Sequence, residues 1–254
     1  MSADIKEQEI FALEAFAFNA SVPLFCALGE DADHCATGTF VETGGKLFLL
    51  TARHVLDQCD SENIAIACSP SGSKLFTLGN LIVHKPEDMD DGEIDIVGLE
   101  MQDQEIVDKI NSEWRVVGMA IGGHQNISEK KLLVGFPSDK LDKNGFNLFG
   151  KPIAFSCSLC DPVSENAKKP IKPELDLFLE FPTSAVEKGG KSVEVNRIRG
   201  MSGCAIWEIH EPLNNEIWTP ERVLRLVGIQ SSASQDSFLR GKKWAYICEV
   251  LKAK

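Results

Sequence analysis

From Val22 onward the chain is written in short apolar runs, each cut off by glycine, proline or small polar residues. That texture constrains the fold more than any other feature. A helix needs about ten or more residues of 3.6-fold periodicity, whereas a strand needs only about four to eight. Thr37–Val41, then Glu42-Thr-Gly-Gly45, then Lys46–Thr51 reads as a β-hairpin with a glycine turn. Asn63–Cys68 and Lys74–His84 read as two further strands around the turn Ser69-Pro70-Ser71-Gly72, and Ile96–Met101 as another. The second half repeats the pattern at Lys131–Phe136, Phe146–Cys160, Leu175–Phe181 and Val223–Ser231. Many short strands with glycine turns predict an all-β chain of barrel or sandwich type.

Helical periodicity is confined to three places. Ile10, Leu13 and Ala17 predict a short N-terminal helix over residues 5–18. Ile106, Ile110 and Trp114 share one face of Gln102–Trp114, and Ile247 and Leu251 predict a closing helix over Trp244–Leu251. The middle helix marks the junction of two halves. The expected division is an N-terminal segment over 1–21, a first β unit over 22–115 and a second over 116–254.

The charge balance narrows the partners. With 38 Asp+Glu against 26 Lys+Arg, a net charge of −12, the chain lacks the basic excess that nucleic acid or an anionic membrane calls for. Asp4, Glu7 and Glu9 outweigh Lys6 ahead of the apolar stretch 10–26, the reverse of a secretory leader. The expectation is a cytoplasmic protein whose eight cysteines are reduced.

One stretch carries chemistry: Arg199-Gly-Met-Ser202-Gly-Cys-Ala-Ile-Trp207. Glycines on both sides of Met201-Ser202 permit a tight turn that exposes the hydroxyl and aims successive N–H groups at one spot. Acyl transfer needs that pairing of a nucleophile with donors for a developing oxyanion. Of the five histidines, His54 stands apart because it closes the apolar strand Phe48-Leu-Leu-Thr-Ala-Arg-His54. Asp95 ends the acidic loop 86–95 between Ile94 and Ile96, where partial burial would oblige it to find a partner.

Taken together, Thr51-Ala-Arg-His54, Asp95-Ile-Val97 and Gly200-Met-Ser202-Gly203 resemble the trypsin-like, chymotrypsin-fold serine proteases. The order and spacing suit one barrel carrying His and Asp and a second carrying Ser, over roughly residues 22–250. The resemblance implies two antiparallel β-barrels with the site in the cleft between them, and a disulfide-free intracellular branch of the family. It makes Ser202 the nucleophile, His54 the general base and Asp95 its orienting carboxylate, with Gly200 and Ser202 N–H groups as oxyanion donors. It places Ser231 beneath these residues and lets 231–233, with Ser232 and Ala233, pair with the substrate backbone. Asn196 falls near the floor of the specificity pocket by counting. The implied partners are a protein or peptide substrate and a regulatory protein, with no metal and no organic cofactor.

Two departures stand out. Met201 occupies the position where secreted members carry an aspartate that pairs with a newly cut N-terminus, so activation by N-terminal trimming is not expected. Cys204 replaces a second glycine. An α/β-hydrolase would need Gly-x-Ser-x-Gly and a later histidine, yet only His210 follows. Cys157-Ser-Leu-Cys160 has no second pair at zinc-ligand spacing and reads as two cysteines near a strand end. The alternative of another class is a catalytically silent protease-like fold serving as a protein-binding module.

Overall fold

The structure is a computed structural model that describes every residue except 1–2, 73, 86–94, 120–129, 145–146, 161–162, 164, 166, 168, 211–216 and 252–254. Most of the acidic loop before Asp95 therefore lies outside the described residues. The chain opens on helix α1 (Ala3–Ala20), and the first sheet follows. Its strands are β1 (Ser21–Leu28), β2 (Asp31–Thr43), β3 (Lys46–Thr51), β4 (Ile64–Ala67), β5 (Leu75–Thr77), β6 (Leu81–His84) and β7 (Val97–Met101). They pair antiparallel in the order β5-β4-β1-β2-β3-β7-β6. Helix α2 (Gln104–Glu113), with the Asp103 carboxylate capping the Glu105 N–H, leads to the short β8 (Val117–Gly118) beside β2.

The second sheet contains β9 (Lys130–Gly135), β12 (Ile153–Ser158), β13 (Asp176–Glu180), β14 (Ser184–Glu187) and β15 (Ser192–Glu194). It is completed by β16 (Ala205–Ile209), β17 (Leu224–Ser234) and β18 (Phe238–Lys243). The order is β13-β18-β17-β16-β9-β12-β14-β15, and an antiparallel bridge from Leu159 to Leu179 joins the two sides of its first six strands. A separate hairpin, β10 (Leu141–Asn144) with β11 (Asn147–Gly150), intervenes. Helix α4 (Trp244–Val250) closes the described chain. The chain is thus mostly β, with two antiparallel sheets and a C-terminal helix, as the sequence predicts.

Side-chain alternation explains why the central strands read as unbroken apolar runs. In β3, Leu47 and Leu49 enter the core of the first sheet, while Phe48 and Leu50 face a core shared with the second. In β9 and β16, Leu133 and Ile206 fill the interior of the second sheet, while Leu132, Val134 and Trp207 face the shared core. Strands buried on both faces need no polar alternation. Helices α1 and α4 fill the space between the sheets with Phe16, Ala17, Trp244 and Ile247. Trp207 is fully buried, with Phe16 meeting it edge-on at 5.8 Å. Burying a side chain of that size contributes on the order of 4–6 kcal/mol.

Four expectations need correction. Ile10 is 56% exposed, because the buried face of α1 runs through Leu13, Phe16, Ala17 and Ala20, one turn further on. Lys74–His84 is two strands rather than one, broken where Gly79 takes φ +69°. The expected strand Phe146–Cys160 is likewise divided, because Pro152 between β11 and β12 has no N–H to donate to a ladder. Finally, Cys26 of β1 and Cys59 form a disulfide, so six cysteines rather than eight are free thiols and the chain is not disulfide-free. Among the described residues no helix is long and apolar enough to cross a membrane.

Candidate active site

His54 sits near the start of the 3₁₀ turn Arg53–Asp57, which β3 delivers directly after Thr51 and Ala52. Asp95 precedes β7, and β7 pairs with β3 through Thr51 and Val97. The ladder therefore brings two residues far apart in sequence to one sheet end. Asp95 grips His54 twice. Its Oδ1 accepts the His54 backbone N–H at 2.9 Å, and its Oδ2 accepts Nδ1–H at 2.7 Å. A carboxylate only accepts, so this contact assigns the neutral-ring proton to Nδ1 and leaves Nε2 bare. The Asp95 hydrogen bond holds His54 above its ordinary pKa, opposed by partial burial and helped by the negative charges of Asp95 and Asp57.

Ser202 lies in a turn that Thr37 of β2 ties to the first sheet by two hydrogen bonds. The Thr37 N–H donates to the Ser202 carbonyl at 2.9 Å, and its Oγ1–H donates to the Gly200 carbonyl at 2.9 Å. Thr37 Oγ1 also accepts the Phe136 N–H at 3.0 Å, and its carbonyl accepts Thr51 Oγ1–H at 2.8 Å. Thr37 and Thr51 are both fully buried. Gly203 (φ +91°) has its Cα against Thr37 and Thr51, where a side chain would overlap their atoms. The Gly203 N–H donates to Gln230 of β17 at 2.7 Å. Ser202 is thus held between the strand leading to His54 and the strand leading to Ser231. Among the described residues no hydrogen bond joins the Ser202 hydroxyl to His54 Nε2.

The donors around Ser202 are similarly ordered. The Arg199 carbonyl accepts the Ser138 N–H at 2.7 Å. In a trans peptide the adjoining Gly200 N–H points the opposite way. Neither the Gly200 nor the Ser202 N–H has a hydrogen-bond partner among the described residues. Met201 is 1% exposed and packs in the core of the second sheet against Gly135. Burial pushes the Cys204 thiol far up, which keeps it inert beside the serine.

The remaining predicted residues fall around this centre. Ser231 is buried in a bulge of β17, and its hydroxyl donates to the Arg240 carbonyl at 3.2 Å. Ser232 and Ala233 are exposed. Strand β16 pairs with β17 only as far as Ile229, so among the described residues 232–234 pair with β18 on one side and with no strand on the other. Asn196 is exposed, and its carbonyl accepts the Gln235 amide at 2.6 Å. It therefore lies on a loop surface rather than on an enclosed floor. Among the described residues no cluster of three His, Cys, Asp or Glu side chains could hold a metal ion. Thr37, Thr51, His34 and Ser138 were not legible as site residues. The one signal was the presence of three threonines, Thr37, Thr39 and Thr51, in otherwise apolar strand stretches, and all three are fully buried.

No family model matches the sequence, and no curated protein matches it. Similarity to solved structures is extensive but low in identity. An inactivated protease paralogue of the scabies mite, S-I1, aligns with 96% of this chain and 98% of its own at 15% identity, TM-score 0.52. The thermostable serine protease AL20 from an extremophilic microorganism aligns with 92% and 97% at 12% identity, TM-score 0.51. The VesB protease of Vibrio cholerae aligns with 92% of this chain and 63% of its own at 12% identity, TM-score 0.52. The chain has the two-barrel, chymotrypsin-like fold of these proteins.

Proposed function

We propose that the protein is a serine endopeptidase that cleaves peptide bonds through an acyl-enzyme. The observation that carries this reading is the double grip of Asp95 on His54, which assigns the ring proton to Nδ1 and leaves Nε2 free to accept one. Ser202 Oγ attacks the scissile carbonyl carbon while its proton passes to His54 Nε2. The resulting oxyanion receives the Gly200 and Ser202 N–H groups. Collapse expels the amine, which takes the proton from His54, and water then releases the acyl group by the same steps. The edge at 232–234, unpaired on one side among the described residues, supports pairing of an extended substrate as an added strand, with Ser232 and Ala233 in contact with it. Because Met201 is anchored by packing, no charged N-terminus is needed to order the turn.

A second reading is a silent protease-like fold that binds proteins. The missing hydrogen bond between Ser202 and His54 favours it, and catalytic hydrogen bonds that are long in a free enzyme weigh against it. Ser202→Ala separates the two. It should lower turnover by a factor on the order of 10⁶ if the site is an enzyme's. A wild-type protein with no turnover, and an unchanged protein ligand affinity in Ser202→Ala, would favour the binding module.

A further inference from the structure

We propose that His34 and Ser138 are positioning residues: together they hold the Arg199–Gly200 peptide in the orientation that keeps the Gly200 N–H available as an oxyanion donor. This rests on the enzymatic reading of the same site. His34 lies on β2, at an irregularity where Phe25 of β1 pairs with it, and Phe25 packs edge-on against its ring at 5.3 Å. Ser138 comes from the opposite direction, in the 3₁₀ turn Ser138–Lys140 that follows β9 and Pro137. The two meet through a hydrogen bond of 2.9 Å between His34 Nδ1 and Ser138 Oγ.

Gly200 rests on this pair. A Cβ at Gly200 would overlap the His34 ring and Ser138 Oγ, so the two side chains form a wall directly under its Cα. Ser138 then adds its own N–H to the Arg199 carbonyl at 2.7 Å. The peptide is thus fixed at three points. Its carbonyl is tied to Ser138, its Cα faces the His34–Ser138 wall, and the Gly200 carbonyl is tied to Thr37 Oγ1. If the wall is loosened, the peptide can rotate and turn the Arg199 carbonyl toward the place where the oxyanion forms. A carbonyl there repels the charge that the N–H would stabilise.

Burial pushes the His34 imidazole down to about pKa 4, so it stands there as a neutral ring. The pair also lines a cavity of about 580 Å³ with Phe25, Gln58 and Arg199. The wall therefore borders open space on one side.

The test compares wild type with Ser138→Ala, His34→Ala and Ser138→Thr, using p-nitrophenyl acetate as acyl donor and high-resolution crystal structures of each. The acylation rate should fall about tenfold in Ser138→Ala and His34→Ala, with KM within about twofold, a fraction of the 10²–10³ lost when a donor is removed outright. Ser138→Thr, which keeps the hydroxyl, should return the rate to within about threefold. The crystal structures should show the Arg199 carbonyl released from the Ser138 N–H in at least one alanine variant. Folded alanine variants with wild-type rates and an unmoved peptide would overturn the proposal. A wild type inert to the ester would instead defeat the enzymatic reading. The peptide orientation in His34→Ala would then still decide whether the wall holds it.

Discussion

Replacing Asp95 by asparagine tests the site through a single atom. In the native pair, Oδ1 accepts the His54 N–H at 2.9 Å and Oδ2 accepts Nδ1–H at 2.7 Å. Asparagine has one acceptor and one donor. The backbone N–H of His54 can only donate, so it claims the amide oxygen and turns the amide NH₂ toward Nδ1. The ring must then accept at Nδ1 and carry its proton on Nε2, the atom that should receive the Ser202 proton. A wrong tautomer of this kind costs about 10⁴-fold in turnover, or about 5.4 kcal/mol of barrier. The variant also loses the hydrogen bond and charge that raise the His54 pKa, leaving burial to pull it down. Ester hydrolysis reads the first effect and nitrogen-15 NMR of the imidazole reads the second. An Asp95→Asn protein within about tenfold of wild type, or one whose ring keeps its proton on Nδ1, would show that Asp95 does not set the His54 tautomer.

Other outcomes follow from the same contacts. Because His54 has a raised folded pKa, wild-type turnover should rise with pH through that value as the base loses its proton. The stability from its Asp95 contact is complete below the unfolded value of about 6.5 and is lost as pH rises through the folded one. Denaturant titrations across that range should show the slope in wild type and not in Asp95→Asn. Thr37→Val leaves the Gly200 carbonyl and the Phe136 N–H buried without their partner. At about 1–3 kcal/mol each, the variant should lose about 2–6 kcal/mol in urea unfolding. Lys131→Met leaves the fully buried Glu208 carboxylate without its 2.8 Å partner and with His210 at 2.9 Å, and should cost about 3–5 kcal/mol. Cys59→Ser opens a cross-link spanning 33 residues and should cost about 3–4 kcal/mol by loop entropy.

What could be seen in the sequence was what local periodicity encodes. The run Lys46–Thr51 announces a strand buried on both faces because the four side chains Leu47–Leu50 alternate between two cores. His54 and Asp95 stood out because each breaks such a run at its end, and β3–β7 pairing then joins those ends. Thr37 did not stand out. Its four hydrogen bonds go to Ser202, Gly200, Phe136 and Thr51, and no short window of sequence contains those partners. His34 and Ser138 were hidden for the same reason, being 104 residues apart. The Cys26–Cys59 pairing was also out of reach, since an even cysteine count specifies no partners. Counting back from Ser202 put Asn196 on a pocket floor, but counting cannot say which way a loop turns its carbonyl toward Gln235.

Covalent labelling reads the reactivity of Ser202 itself. Purified wild-type protein is treated with a fluorophosphonate probe, digested, and its modified peptide identified by mass spectrometry, beside Ser202→Ala and His54→Ala. One adduct is expected, on Ser202, absent in Ser202→Ala and formed far more slowly in His54→Ala. A wild-type protein that never labels, or one labelled at another serine in all three forms, would contradict Ser202 as the nucleophile.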